Sequence, residues 1–318
     1  MTAGRLLPGL IGALACLLPG NAAATDTPGS LAPVYLEGAI REQVALYNQH
    51  GRFDLPAFSD DDVLAMASGE PVVVRLGEAD GDETRSVAFV GAKLIEAPRL
   101  LVWLTALGGN NDYRSSDDDK AAGRARKSRV THAMLSRKDD GSYVRYQHVR
   151  LPWPLRDRHW TIHLRKNPAV AEATRDRVWE HYWFLEEDGL ELVSAALAAG
   201  SVSDVSPKML EKSIYLPANQ GSWITLELAA ERTLLLAYVD VDLGGNFPRS
   251  LVRGFTERQL KAGLDKLPHY VSRVSREYDA APYIHDGYGR RIEPADATRI
   301  AVSWRESTAE TGPRRDHP

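Results

Sequence analysis

The chain has 318 residues, of which 43% are hydrophobic and 26% are charged, and its formal net charge is −4 at pH 7. These values are typical of a globular protein and argue against nucleic acid as a partner, which would call for an excess of Lys and Arg. The only cysteine, Cys16, lies in a segment that we expect to be removed, so neither disulfides nor thiolate chemistry are expected in the mature protein.

The N-terminus has the pattern of a secretory signal peptide. An arginine is followed by the apolar run LLPGLIGALACLLPG, which is too short and too often interrupted by Pro and Gly to span a membrane. Residues 22–24 are all alanine, as at a signal-peptidase site. We therefore predict that residues 1–24 are a signal peptide and that the mature protein is periplasmic or secreted. Lipidation of Cys16 is the less favoured alternative, because the residues before it fit the lipoprotein motif poorly.

Residues 25–69 are predicted to form an N-terminal arm and two short helices. Apolar residues recur every three or four positions between Tyr35 and Tyr47, which indicates one face of a helix. A second helix is predicted after Ser59, a suitable N-cap followed by three aspartates, and it should end at Gly69. We interpret both helices as packing elements.

A domain over residues 70–280 is predicted to begin where the periodicity changes to that of strands. Strands over 72–76 and 86–94 precede a helix that should end at Gly108. Residues 110–126 have almost nothing apolar to bury and predict a mobile, solvated loop. The aspartates at its centre lack the spacing of a calcium loop, so no metal site is predicted there.

Six further strands are predicted, over 129–136, 143–151, 158–166, 175–185, 223–228 and 233–241. Residues 190–212 are compatible with a short helix or with a strand and a loop. In strand 158–166, alternate residues are apolar, which predicts one apolar face made by Trp160, Ile162 and Leu164. In strand 175–185, Trp179, His181 and Trp183 alternate with Val178, Tyr182 and Phe184, which predicts that one of these two aromatic-rich faces is buried as core or cavity wall.

A long helix is predicted after Pro248. Its apolar stripe keeps its register across Pro268, which indicates one kinked helix. Basic residues occupy the rest of its surface: Arg249, Arg253, Arg258, Lys261, Lys266, Arg273 and Arg276. Residues 281–318 are predicted to be a C-terminal extension with a disordered tail.

Two segments resemble motifs of one known family. RYQHVRLPWPLRDRHW resembles the strand and Pro-Trp-Pro corner of the START (steroidogenic acute regulatory protein-related lipid transfer) family, which belongs to the Bet v 1-like superfamily. DLGGNFPRSLV is similar to the glycine turn that leads into that family's C-terminal helix. The motifs stand in the family's order, and the likeness covers residues 70–278.

The resemblance implies an α+β helix-grip fold. In such a fold a curved antiparallel β-sheet wraps around a long C-terminal α-helix, which forms the movable roof of an internal apolar cavity. The residues expected to line the cavity are Trp103, Tyr146, Trp160, Ile162, Leu164, Trp183, Tyr238, Phe255, Leu264 and Val271. The expected polar anchors are Arg145 and Asp240.

The sequence departs from the family's pattern at several positions. His159 replaces the aspartate that usually follows Arg158, and Leu164 stands where sterol-binding members place a cavity arginine. Leu243 and Ser250 replace a proline and a tryptophan. The identity of the ligand is therefore not implied by the resemblance.

We accordingly predict a monomeric protein that binds and transfers a lipid or other hydrophobic small molecule, with transient contact to a membrane surface and without a cofactor. No catalytic constellation is recognised, and no G-x-S-x-G turn is present. The alternatives are a cyclase-like enzyme that acts on a hydrophobic substrate in the cavity, and an interaction module without a ligand.

Metal binding is disfavoured. His159 and His163 look like a pair of ligands, but residues four apart in a strand are separated by about 13 Å, too far to share one ion. A metal site would need His148 or His181 from a neighbouring strand.

Overall fold

The computed structural model describes residues 33–77, 86–107, 130–138, 142–151, 156–202, 205–245, 249–280, 284–285 and 291–292. The predicted signal peptide, the loop 110–126, the Pro-Trp-Pro corner and most of the C-terminal extension lie outside these residues. The helices of the described part are α1 (Pro33–His50), α2 (Asp60–Ala67), α3 (Arg99–Ala106), α4 (Pro168–Ala173), α5 (Gly189–Ala198), α6 (Pro207–Lys212) and α7 (Arg249–Ala280).

The strands build one large sheet and one short ribbon. They are β1 (Val72–Arg75), β2 (Val87–Ile95), β3 (Val130–Arg137), β4 (Tyr143–Val149), β5 (Arg158–Lys166), β6 (Val178–Leu185), β7 (Ile214–Tyr215), β8 (Ala218–Ala229), β9 (Arg232–Asp242), β10 (Ile284–His285) and β11 (Arg291–Ile292). The large sheet has the order β1-β2-β9-β8-β6-β5-β4-β3 with antiparallel neighbours, and β7 joins β5 in parallel. The predicted fold class, a curved antiparallel sheet with a long C-terminal helix, is thus confirmed.

Several segments differ from the sequence-based prediction: β8 begins at Ala218 and not at residue 223, and the short strands β7, β10 and β11 were not predicted. The strand predicted from residue 175 begins at Val178, because Asn167 caps a short helix, α4, that has Pro168 in its first turn. The segment 190–212, for which two interpretations were open, contains α5 and α6. Both are short helices that start after an N-cap and lack a long apolar stripe.

The inner face of the sheet packs against α3 and α7. Directly opposite residues of paired strands project to the same face, so the register identifies the inner residues of every strand. On this face Phe89, Val239 and Trp160 belong to one core with the apolar stripe of α7. The stripe continues through Pro268, as predicted, with Leu260, Leu264, Leu267, Val271 and Val274 all buried.

The final helix packs closely on the sheet at Gly91 of β2. A Cβ at this position would lie 2.7 Å from Cδ1 of Leu264 and 2.8 Å from Cγ of Leu260. Any larger residue would therefore require the side chains of Leu260 and Leu264 to move. Beside this contact, Lys93 donates to the carbonyl of Gly69 and lies 3.5 Å from Asp265 of α7.

The outer face is covered by the remaining helices. Ile40 and Tyr47 of α1 and Met66 of α2 form a second core with Ile224 and Leu236. A third group, near α5, contains Tyr146, Val193, Val202 and Val205. The helices predicted within residues 25–69 are therefore packing elements on this sheet.

Arg158 holds the end of β9 against β5. Its side chain is only 2% exposed, and its guanidinium donates to the carbonyls of Leu243 (2.6 Å), Gly244 (3.2 Å) and Arg156 (2.7 Å). Gly244 and Gly245 have φ values of 64° and 75°, a conformation that glycine adopts without strain. Backbone carbonyls thus contact this guanidinium at the corner where the resembling family has an aspartate.

We predict that Arg158→Met lowers the free energy of unfolding by about 3 kcal/mol or more, because several buried carbonyls lose their donor at once. Urea denaturation measures this difference. The exposed Arg75 of β1 offers a matched control, and Arg75→Met should change stability by no more than about 0.5 kcal/mol. Equal midpoints for the two variants would show that the carbonyl contacts of Arg158 contribute little.

Candidate functional site: the inner face of the sheet

Tryptophan side chains form a wall on the inner face. Trp160 of β5, Trp183 of β6 and Trp223 of β8 belong to the inner core. Trp103 of α3 meets Trp179 of β6 edge-on, with ring centroids 5.6 Å apart. This face therefore offers flat apolar surface over several strands.

The position of Trp183 depends on a glycine in the next strand. A Cβ at Gly221 would lie 2.3 Å from Cζ2 of Trp183, so the indole rests directly on the backbone of β8. Its Nε1 donates to Oδ1 of Asn219 at 3.0 Å. The ring is thus held both by shape and by a hydrogen bond.

A chain of polar side chains crosses the same face. Nε1 of Trp160 donates to Oε1 of Gln147 at 2.8 Å, and Nε2 of Gln147 lies 2.8 Å from Nδ1 of His132. Because the amide nitrogen of Gln147 can only donate, Nδ1 of His132 is the acceptor and its ring proton belongs on Nε2. Burial, together with the charge of Arg145, lowers the pKa of His132 to about 3.

His181 lies in the middle of this face and is only 3% exposed. Its ring lies 6.3 Å from that of Trp103 and 6.3 Å from that of Tyr143. Within the described part of the chain, neither ring nitrogen has a hydrogen-bond partner. Burial, together with the charges of Arg145 and Lys166, lowers the pKa of His181 to about 3. The ring is therefore neutral at pH 7, and its unsatisfied groups cost about 1–3 kcal/mol.

Most of the residues predicted to line a cavity lie on the inner face. Phe255 is partly buried against the inner core, and Trp103 contacts His181 and Trp179 from α3. Arg145 is directly opposite Ile162 and so projects to this face. The remaining inner residues of the predicted set are Trp160, Ile162, Leu164, Trp183, Leu264 and Val271.

Three predicted residues lie on the outer face instead. Tyr146 packs with Val193 under α5, Tyr238 stacks on Phe53 at 4.1 Å, and Asp240 accepts a hydrogen bond from Gln220 at 2.8 Å. Neighbouring residues of a strand project to opposite faces, so Tyr146 cannot share a face with Arg145. These three side chains are therefore not part of an inner site.

The inner polar residues His132 and Gln147 were not among the predicted site residues. The signal that could have identified Gln147 is its alternation with Arg145, which was predicted as an anchor. His132 could be placed only through the pairing of β3 with β4, which brings it opposite Gln147. His181 was not among the predicted site residues either, because the alternation in its strand left open which of two aromatic-rich faces is buried.

The histidines of the outer face do not form a common site with His181. His148 and His159 lie on the outer face with ring centroids 6.4 Å apart, and Nε2 of His148 lies 3.1 Å from Oγ of Ser213 and 3.6 Å from Asp157. In a catalytic triad the serine and the carboxylate meet opposite ring nitrogens, whereas here both meet Nε2. Among the described residues, no group of three or more His, Cys, Asp or Glu is placed to hold a metal ion.

No family model matches the chain, and no curated protein sequence is significantly similar to it. Among solved structures, the chain is similar to human StAR-related lipid transfer protein 5, at 12% identity and a TM-score of 0.44, over 76% of this chain and 98% of that one. It is similar to a STAR-related lipid transfer protein fragment from Xanthomonas axonopodis, at 14% identity and a TM-score of 0.40, over 63% and 98% of the two chains.

A third similar structure is an aromatase/cyclase from a Streptomyces species, at 14% identity and a TM-score of 0.34, over 61% of this chain and 96% of that one. Among the helices of the described residues, none combines the length and the apolar composition that a membrane span requires.

We predict that His181→Phe leaves the free energy of unfolding at pH 7 unchanged or raises it, because the change removes a buried imidazole without hydrogen bonds. In the wild type the folded-state pKa of His181 is about 3, below the ordinary value of about 6.5. The unfolded state therefore binds one more proton between these pH values, and this contribution to stability is lost as the pH falls from 6.5 towards 3. Through this group the wild type should lose about 1.4 kcal/mol of its free energy of unfolding for each unit by which the pH falls in this range, and His181→Phe should not show this loss.

Urea denaturation at pH 7, 6 and 5 measures both effects. His269→Gln, a change at an exposed position of α7, should alter stability by no more than about 0.5 kcal/mol at pH 7. A large loss of stability in His181→Phe at pH 7 would show that the imidazole makes a stabilising hydrogen bond.

Proposed function

We propose that this protein binds a lipid or another hydrophobic small molecule against the tryptophan wall of its sheet, beneath α7. The observation that carries the proposal is the composition of the inner face, where five tryptophans surround a few buried polar groups. Small-molecule sites are typically apolar with a small number of placed polar groups. Each Å² of apolar ligand surface that leaves water would contribute about 25 cal/mol.

The sequence motifs support the same function. The Pro-Trp-Pro segment and the glycine turn resemble those of a lipid-transfer family, and the turn is held by Arg158 at the start of the final helix. The predicted signal peptide adds that the ligand is carried outside the cytoplasm, in the periplasm or beyond. The proposal assigns no catalytic step to the protein.

In this proposal α7 is the movable roof. It packs chiefly on β2 and α3, and the Lys93–Asp265 pair, 3.5 Å apart, joins it to the sheet. Asp265 is half exposed whereas Lys93 is buried. The ion pair can therefore break when Asp265 moves into water together with α7. Movement of this helix would admit a ligand to the inner face, as lids do in other binding sites.

The interaction module without a ligand is the second candidate. The nearly complete burial of Trp103 and Trp160, at 1% and 3% exposure, favours it, since these side chains occupy the space that a ligand would need. In this alternative the inner face is only a hydrophobic core and binds no ligand.

We expect native mass spectrometry of the protein, purified gently from cells that express it, to reveal a stoichiometric hydrophobic ligand. Lipid extraction of the same sample would then identify its class. A protein of bare polypeptide mass that also fails to take up a fluorescent lipid would contradict the proposed function and favour the interaction module.

If α7 is the roof, Asp265→Asn should speed lipid transfer between vesicles by about two- to fivefold, because an ion pair of this exposure contributes no more than about 1 kcal/mol. A fluorescence transfer assay measures the rate. Glu257→Gln, an exposed change on the same helix, controls for the loss of one carboxylate. Identical rates for wild type and both variants would contradict a gating role for this contact.

We further propose that the basic surface of α7 meets anionic headgroups during loading. The double variant Arg253→Glu, Arg258→Glu should then collect lipid more slowly from anionic vesicles than the wild type, and at an unchanged rate from neutral ones. Unchanged transfer from anionic vesicles would remove the membrane-contact proposal and leave ligand binding intact.

A further inference from the structure

We infer that His181 is the ligand's polar anchor and that the ligand is an amphipathic acid, a molecule with a carboxylate at one end and a long apolar chain. This inference rests on the proposed function and makes it more specific. It follows from three features of the inner face: the imidazole without partners, the cations beside it and the tryptophan wall around it.

His181 offers hydrogen bonds that no described residue uses. Both of its ring nitrogens lack partners in this part of the chain, although the side chain is 97% withdrawn from solvent. Buried polar groups are normally paired, and an exception in a folded protein requires an explanation. A polar ligand atom that reaches the ring would satisfy it.

The neighbouring buried residue on the other face of β6 is paired by contrast. Glu180, the neighbour of His181 in β6, projects outward and accepts hydrogen bonds from Tyr47 (2.6 Å), Ser222 (3.0 Å) and Asn167 (2.6 Å). The same strand therefore carries a buried carboxylate with several protein donors on one face and a buried imidazole without partners on the other. Burial alone does not account for the unpaired ring.

The charges around His181 favour an anion over a neutral head. Lys166 is directly opposite His181 in the sheet, and Arg145 projects from β4 to the same face. The charges of both cations lower the pKa of His181 and so disfavour a protonated imidazole. A carboxylate placed beside the ring reverses this effect, because it is attracted to both cations and accepts the imidazole N–H.

The surroundings also suit a long apolar chain. The rings of Trp103 and Tyr143 flank His181, and Trp223 is directly opposite it on β8. From this point Trp183, Leu164 and Ile162 continue the apolar surface along the inner face. A carboxylate at His181 would thus leave the alkyl chain in contact with the tryptophan wall.

The test compares three ligands that share a 16-carbon chain: palmitate, 1-hexadecanol and methyl palmitate. Displacement of a fluorescent probe at pH 7 gives the three dissociation constants. For the wild type we expect palmitate to bind roughly 10- to 100-fold more tightly than the other two, as for a hydrogen bond to a charged group. In His181→Phe this preference should fall to about threefold or less, with the affinity for hexadecanol little changed, whereas His181→Gln should keep part of it.

His159→Phe is the matched control. His159 is as buried as His181 but lies on the outer face, where its ring packs against Tyr215. This variant should keep the full preference for palmitate. A loss of preference in both variants would show a general effect on the fold and would overturn the role of His181.

A measurement on the wild type keeps the inference testable even if a variant folds poorly. In protein labelled with ¹⁵N-histidine, palmitate should shift the ring nitrogen resonances of His181, whose N–H would donate to the carboxylate, while those of His159 stay in place. Equal binding of the three ligands, or no shift at His181, would overturn the inference but leave the proposed function standing. Failure of all three ligands to bind would count against both.

Discussion

Burial of the large sheet on both faces is the constraint on which the rest of the structure depends. An antiparallel sheet commonly has one wet face, but here α1, α2 and α5 cover one side while α3 and α7 cover the other. Each central strand must therefore be compatible with two interiors. In β6, VWEHYWFL, the first four residues are all buried even though two of them are ionisable. Such a strand is stable only if each buried polar group is paired or serves another purpose.

Buried hydrogen bonds link different parts of the fold on the two sides of the sheet. On the outer side, polar groups connect separate elements: the carboxylate of Glu180 joins α1, β8 and the start of α4, and His163 joins Ser142 and Glu186. These contacts fix how the helices sit on the sheet. On the inner side, the Trp160–Gln147–His132 chain orients groups within the sheet itself. The outer hydrogen bonds thus join separate elements of the chain, whereas the inner ones orient side chains within the sheet.

Local patterns in the sequence were sufficient for the order of the long strands and of the final helix. Period-2 alternation located the main strands, and the spacing of Leu260, Leu264, Leu267 and Val271 located a helix that passes through a proline. The short helices were harder, because α4 depends on a single Asn-Pro cap and α5 has no broad polar face to contrast with its apolar residues. Their position is decided by packing against the sheet, which no local pattern contains.

Face assignment was the part of the candidate site that the sequence could not supply. When both faces of a strand are buried, alternation shows that Tyr146 and Arg145 differ in direction, but not which of them faces the final helix. That choice follows from long-range pairing, as between Arg145 and Ile162. The same reasoning explains Tyr238 and Asp240, whose apolar neighbours in β9 fill the inner core.

The carbonyl contacts of Arg158 also restrict how the final helix can move. They tie the chain just before α7 to β5, whereas the other end of that helix is 32 residues away, a length of about 48 Å. With the first end held, a rigid tilt of about 10° would displace the last turn by about 8 Å, given that length, and the first turn hardly at all. In such a tilt the helix would pivot at the Leu243–Gly244 turn. The widest opening of the inner face would then lie towards Ala280, at the end farthest from the arginine.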